Sequence, residues 1–404
     1  MEENADEIIG LATACDRRAR SVAARDAGGW SGLPMDVLYQ VICRLPPPLN
    51  GRFNLSLAAV CRHWHAAVRL LLPSALPKLC LAVPDGIFFT FQPKYPGLKL
   101  RTHINNPNCR SYRGATDSQL LLATNTWGVY CPVNPFTGTE RLLPIPSIHQ
   151  GIIDEEGYLR EEMPLRKLVV CPHSGLVAAI LGHEYSAKVA LFAPESAAWS
   201  WSVGTCDPWR SYADMVFFDG KLYALTHDED LLALEVSYDE IGQPRISSVE
   251  RVIEGDDGVL KGYTWTRYLV MRPCGDGLLM VRRILLEFFA TTSEFSVFEA
   301  DLPSSRWVEV DTLGGDEALF VSKLSSRAVR ASRHGLGGDQ IFFLDDSARM
   351  QRPRVLSAGS TADAFANVYD MKDRRVSEVL EVQPYRDGTL LATWLFWEDA
   401  DVEE

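Results

Sequence analysis

The residues Asp219-Gly220-Lys221-Leu222-Tyr223-Ala224-Leu225 join a tight-turn pair to a short apolar run. Asp-Gly suits the two-residue hairpin turn, because both positions tolerate the positive φ that the turn requires. The run behind it has the length of one buried strand. The same signature recurs along the chain. It appears at Asp85-Gly86 before Ile-Phe-Phe, Asp117-Ser118 before Gln-Leu-Leu-Leu, and Ser174-Gly175 before Leu-Val-Ala-Ala-Ile. It appears again at Asp276-Gly277 before Leu-Leu-Met-Val, Gly338-Asp339 before Gln-Ile-Phe-Phe-Leu, and Asp387-Gly388 before Thr-Leu-Leu-Ala-Thr-Trp-Leu. Gly86 and Gly388 lie 302 residues apart, so six intervals average about 50 residues, the spacing of a kelch-like blade repeat.

Between these turns a second pattern repeats: strand, polar turn, strand. It reads Val133 to Leu142, Leu191 to Trp201, Phe298 to Trp307 and Val368 to Val376. This is the outer hairpin expected of a blade, whose faces are buried only when neighbours stack in a ring. The reading is an all-β domain over 78–397, a kelch-like β-propeller of about six blades. A strand near Leu390 to Trp397 is expected to complete the first blade and remove a sheet edge. The intervals range from 32 to 61 residues, and a pair of β-sandwiches is the competing architecture.

Ahead of this body the periodicity is helical. In Trp30 to Leu45, Pro34 suits a first helical turn, and Val37, Leu38, Val41, Ile42 and Leu45 form one face. Pro46-Pro47-Pro48 stops that helix. Leu57, Val60, Cys61, Trp64, Val68 and Leu71 then form a second 3.6-residue stripe, closed by Pro73 and Pro77. A head this small leaves apolar surface for a partner. The remaining divisions are an N-terminal segment 1–29, the head 30–72, a linker 73–77 and an acidic tail 398–404. In 1–29 helical spacing accompanies four arginines. A solvated helix and an organelle-targeting peptide both fit, and five acids before position 17 weigh against the second.

Leu33-Pro34, the face of Val37, Leu38, Ile42 and Leu45, and then Val60-Cys61-Arg62-His63-Trp64 together resemble the F-box. The resemblance implies an all-α head that binds the Skp adaptor, and through it cullin, in a ubiquitin ligase. The adaptor-binding residues it implies are Leu33, Pro34, Val37, Leu38, Ile42, Leu45, Val60, Cys61 and Trp64. The order of pieces also resembles a plant F-box family whose C-terminal region is catalogued as domain of unknown function 295 and described as kelch-like. The residues that carry this are Leu81 to Phe89, Gly335 to Asp346, and Val368-Tyr-Asp-Met371.

Composition narrows the function. The chain has 404 residues and a formal net charge of -13, a field that repels phosphate backbones and anionic membranes. No apolar run reaches 18 residues, and the acidic N-terminus lacks the basic start of a secretory signal. Nine scattered cysteines without C-x-x-C read as reduced thiols of a cytoplasmic or nuclear protein. No P-loop, G-x-S-x-G or H-E-x-x-H occurs. Gly335-Leu-Gly337-Gly338 enters a strand and reads as a turn. His63 and His65 point to different helix faces. His183-Glu184 lacks a third ligand, and Asp256-Asp257 and Asp345-Asp346 read as solvated turns. The expectation is a non-catalytic receptor with no cofactor, no metal, no nucleic acid and no membrane. It would hold an unidentified target protein. A propeller enzyme or carbohydrate-binding module is the alternative.

Overall fold

The computed structural model describes residues 33–34, 37–38, 60–62, 64–66, 79–83, 87–90, 99–101, 109–116, 119–124, 130–133, 165–193, 200–201, 209–255, 264–285, 293–344, 366–380 and 392–396. The strands run in chain order through one sheet after another. β1 (Leu79–Val83), β2 (Ile87–Thr90) and β3 (Lys99–Arg101) come first. β4 (Cys109–Thr116), β5 (Gln119–Thr124) and β6 (Tyr130–Val133) form a three-stranded sheet. β7 (Leu165–Val170), β8 (Val177–His183), β9 (Ser186–Phe192) and β10 (Ser200–Trp201) form the next. β11 (Tyr212–Phe218), β12 (Lys221–Thr226), β13 (Leu231–Tyr238) and β14 (Pro244–Ile253) follow, then β15 (Thr264–Met271), β16 (Leu278–Leu285), β17 (Ser293–Asp301) and β18 (Arg306–Val310). A five-stranded sheet contains β19 (Glu317–Val321), β20 (Arg327–Arg330), β21 (Gln340–Leu344), β22 (Ala366–Asp370) and β23 (Arg375–Leu380), with a short helix α1 (Ala331–His334) after β20. β24 (Thr393–Phe396) returns to pair with β1.

The apolar runs of the sequence become second strands because those strands are covered on both faces. β8 reads Val-Ala-Ala-Ile-Leu-Gly-His and is buried over its first six residues. β12 is buried from Leu222 onward. The outer strand β18, with hydrogen-bonded neighbours on one side only, stays largely exposed. Asp219 and Gly220 both take positive φ, 46° and 72°, and close the β11–β12 hairpin between Phe218 and Lys221 as the Asp-Gly reading requires. Ser174-Gly175 and Asp276-Gly277 lie between the first two strands of their own sheets, whereas Asp85-Gly86, Asp117-Ser118 and Asp387-Gly388 lie outside the described residues. The outer hairpins expected at Leu191 to Trp201, Phe298 to Trp307 and Val368 to Val376 are the pairs β9–β10, β17–β18 and β22–β23.

Neighbouring sheets meet through shared apolar clusters. Ile180, Val189, Tyr212 and Leu222 join the β7–β10 sheet to the β11–β14 sheet. Leu225, Leu231, Leu269 and Met280 join the latter to β15–β18. Tyr268, Val281, Phe295, Phe343 and Tyr369 make the next junction. The first strands also run side by side: β4 against β7, β7 against β11, β11 against β15, β15 against β20, and β24 against β4. This radial order is that of an all-β propeller and excludes a pair of sandwiches.

The ring closes where the two ends of the body meet. Antiparallel pairing sets Leu79 opposite Phe396, Cys80 opposite Leu395, Leu81 opposite Trp394 and Ala82 opposite Thr393. The last strand therefore completes the first sheet, as its apolar sequence suggested. Burial pushes the Cys80 thiol far up, so it stays a neutral core group.

The expectation of about six blades needs correction. Among the described residues only four sheets are four-stranded; one has five strands and one has three. In the five-stranded sheet the β19–β20 hairpin inserts ahead of β21, so β19 pairs with β21 in parallel. The connection runs through α1, capped by Gly335 at φ 67°. The Gly-rich stretch is thus a helix exit and turn entering a strand.

Of the head, two short helical pieces are described. Leu38 N–H donates to the Pro34 carbonyl at 3.0 Å and His65 N–H to the Cys61 carbonyl at 2.9 Å, both i to i−4 bonds. The segments 1–29, 73–77 and 398–404 lie outside the described residues. No helix among the described residues is long and apolar enough to cross a membrane.

Candidate functional site

The first strands of three adjacent sheets carry charges where a ring interior is expected to be apolar. β7 and β11 each have a register irregularity near their start, between Leu165 and Lys167 and between Tyr212 and Asp214. Such a bulge re-aims the side chains around it. Asp214 is buried and ion-paired with the Lys167 ammonium. It also accepts the N–H groups of Met215 at 2.6 Å and Leu269 at 2.8 Å. One carboxylate therefore ties β7, β11 and β15 together.

A second buried carboxylate lies in the turn between β12 and β13. Glu229 is 1% exposed and holds φ 69°, a conformation that costs energy for a side chain with a Cβ. Its Oε1 accepts from Nε of Arg267 and Nε of Arg282, each at 2.8 Å, and Arg282 reaches Oε2 with a second nitrogen. Trp307 Nε1 donates to the Glu229 carbonyl at 2.8 Å. The Arg282 guanidinium lies 4.4 Å from the Phe298 ring centre and 5.5 Å from that of Trp265, positions favourable for cation–π attraction. Both carboxylates are thus held by cations and serve the junctions between sheets.

His227 stands beside this network. Its backbone N–H donates to the Ser211 carbonyl at 2.8 Å, which pins the β12–β13 turn to the segment entering β11. Its ring lies 5.9 Å from the Tyr185 ring, in the turn between β8 and β9. Its Nε2 is buried with no hydrogen-bond partner among the described residues. Arg166 of β7 donates from Nη1 to the Tyr212 carbonyl at 2.8 Å. Burial is the main cause that pulls the His227 imidazole down to about 4. Glu184 opposes this shift, while the positive charges of Arg166, Arg267 and Lys323 add to it. These groups come from four sheets, so the first-strand register and the inter-strand turns gather them at one end of the ring.

The unfolded imidazole, near 6.5, binds more protons than the folded one between about 4 and 6.5. Stability is therefore full above that window and falls as the pH drops through it, by on the order of 3 kcal/mol. Urea melts at pH 7 and pH 5 should show a larger loss for the native chain than for His227→Gln. Equal losses would contradict the assignment.

The residues expected to meet an adaptor divide. Leu38 and Trp64 are buried, at 0% and 4% exposure, and so are covered by the chain itself. Val37 and Val60 are exposed, as is Pro34, while Leu33 and Cys61 are half-buried. Ile42 and Leu45 lie outside the described residues, as do the carboxylate pairs Asp256-Asp257 and Asp345-Asp346. His183 and Glu184 are exposed, and Glu184 belongs to the surroundings of His227. Among the described residues no three His, Cys, Asp or Glu side chains gather to hold a metal. Cys61, Cys80, Cys171 and Cys274 are in no disulfide bond.

The cluster around His227 escaped the sequence reading. Thr226-His227-Asp228-Glu229-Asp230 looks like any polar turn between apolar strands, and its partners are far away in sequence. The available signal was the presence of Lys167, Asp214 and Arg267 inside strands otherwise rich in apolar residues.

No curated protein matches the chain. Solved structures resemble it distantly. The β-propeller domain of Cps50 (Swd1) from Myceliophteria thermophila shares 8% identity over 76% of this chain and 80% of its own, with a TM-score of 0.33. An oligogalacturonate lyase in complex with manganese shares 10% over 75% and 78%, with a TM-score of 0.37. A functionally unknown protein from Desulfotomaculum acetoxidans shares 8% over 80% and 100%, with a TM-score of 0.37. Likeness at these scores carries nothing about activity. The sequence itself is more specific: the family model described as KIB1-4 beta-propeller matches residues 88–370, well over half of the chain, and the protein belongs to that family.

Proposed function

We propose that this protein is the substrate-recognition subunit of a Skp-cullin-F-box ubiquitin ligase. The head at 30–72 binds the adaptor, and the propeller binds the target in the cytoplasm or nucleus. The observation that carries this reading is the head's exposed apolar surface. Val37 and Val60 are 36% and 49% exposed, in the same segments as the two helical hydrogen bonds and beside the Leu-Pro and Cys-Arg-His-Trp residues that resemble the F-box. Single exposed valines are ordinary, but two within a motif of this kind fit a docking face. The pairing of Asp214 and Glu229 with cations favours a rigid holder over acid–base chemistry. The receptor performs no bond making; it raises the effective concentration of target lysines near the charged enzyme.

Co-purification with a Skp adaptor tests the proposal. Val37→Asp with Val60→Asp places two charges in the docking face without touching the buried Leu38 and Trp64. Each charge is expected to cost about 2 kcal/mol or more, so retention should fall at least tenfold while the melting temperature stays unchanged. Undiminished retention, or no retention by the native chain, would remove the ligase assignment.

A further inference from the structure

The head and the C-terminal residues leave the ring at one point. Leu79, which opens β1, is paired with Phe396, which closes β24. Leu72 of the head stands seven residues before Leu79, a reach of at most about 24 Å. Two of the intervening residues, Pro73 and Pro77, are prolines, which stiffen such a linker. Residues 397–404, outside the described residues, follow Phe396 directly and extend to about 28 Å from it. Wherever the linker sets the head, those residues are long enough to touch its near side.

The two neighbours are opposite in charge. Residues 30–72 carry Arg44, Arg52, Arg62 and Arg69 against the one acid Asp36, in a chain of net charge -13. Residues 398–404 hold Glu398, Asp399, Asp401, Glu403 and Glu404 and no cation. A block of one sign this dense is the composition of an interaction tail. Segment 1–29 also adjoins the head, but its six acids are mixed with four arginines. Ring cations near Phe396 are already answered by carboxylates. Val329 and Ala331 share a cluster with Phe396, and the flanking Arg330 and Arg333 act on Asp316. Arg272 holds Glu299 and Glu317. On the head, Arg62 and His65 are exposed, and so is Val60 of the docking face. Positive charge therefore stands in sequence beside the apolar surface assigned to the adaptor.

We propose that residues 398–404 fold back on the head as an autoinhibitory strap. Their carboxylates lie against Arg62 and the other head arginines and cover Val60 until an adaptor displaces them. The proposal rests on the receptor reading, which supplies the adaptor, and adds a regulation of the same surface.

The test compares the full native chain with one in which the five acids are neutralised: Glu398→Gln, Asp399→Asn, Asp401→Asn, Glu403→Gln and Glu404→Gln. Hydrogen–deuterium exchange without adaptor, at about 0.1 M sodium chloride, should be about threefold faster or more in peptides around Arg62 of the neutralised chain. At about 1 M salt the two chains should match, because the Debye length falls from about 10 Å to about 3 Å. Arg62→Glu should shrink the effect of neutralising the tail, and tenfold dilution should not change it. A Skp adaptor should bind the neutralised chain about fivefold tighter at the lower salt and equally at the higher. Equal exchange at the lower salt, a difference that survives 1 M salt, or one lost on dilution would overturn the strap. Faster exchange with equal adaptor affinity would overturn the inhibition. Faster exchange in a chain that never binds the adaptor would leave the contact standing and remove the ligase role. Adaptor binding with no effect of the tail on either measurement would do the reverse.

Discussion

A chain ending at residue 391 will not form a monomeric ring. The truncation removes β24, and with it Trp394, Leu395 and Phe396, exposed at 0%, 1% and 6%. Fully burying a large apolar side chain contributes about 1.5–3 kcal/mol, so three of them approach the whole stability of an ordinary domain. Trp394 also donates from Nε1 to the Val321 carbonyl at 3.1 Å, and its own carbonyl accepts from Ser325 Oγ at 3.1 Å. Its ring meets Phe320 edge-on at 5.1 Å. Without β24, Leu79 to Ala82 become an open edge that can pair with another chain. Size-exclusion chromatography should show aggregates, and circular dichroism should lose the cooperative melt. Trp394→Ala alone should cost about 3–5 kcal/mol. A truncated chain that stays monomeric and melts like the native one would show that the ring does not depend on this closure.

The second large effect is expected at Glu229. Replacing it with alanine strands Arg267 and Arg282 in a poorly solvated junction and removes the charge that justifies their burial. Breaking a buried ion pair by deleting one partner typically costs 3–5 kcal/mol, and here two arginines lose the same carboxylate. Thermal melting should fall by roughly 10 °C. Glu229→Gln keeps an acceptor for Arg267 and should cost less. Replacing Glu229, Arg267 and Arg282 together with methionine should recover most of the loss, since an apolar set of similar volume needs no ion pairing. An alanine variant within a degree of the native chain would contradict the role given to this carboxylate.

These two sites show why parts of the fold were legible in the sequence. The second strands declared themselves because their apolar runs, such as Lys221 to Leu225, follow a turn whose chemistry permits nothing looser. The closing strand was legible for the same reason: Thr389 to Trp397 is too apolar to stand as a tail. The β19–β20 hairpin was not legible. Arg327-Ala-Val-Arg330 is short and half charged, and its place in the sheet rests on a parallel pairing of β19 with β21. Local periodicity does not encode a pairing across a crossover. The site was hidden by the same logic. Arg166, His227 and Lys323 belong to three sheets, and only ring closure brings them together.

At the head, sequence periodicity identified an apolar face but not which residues of that face look outward. Leu38 follows Val37 directly, yet one is buried and the other exposed. Consecutive helical residues point about 100° apart, so a broad stripe contains both buried and exposed positions.

The proposed function divides the labour, with the adaptor held at the head and the propeller left free for the target. Hydrogen–deuterium exchange of the full chain, alone and with a saturating Skp adaptor, tests it most directly. The account predicts new protection confined to peptides within residues 30–72, with exchange in β7 to β18 unchanged. Protection of propeller strands without protection of the head, or no change anywhere at saturating adaptor, would contradict it.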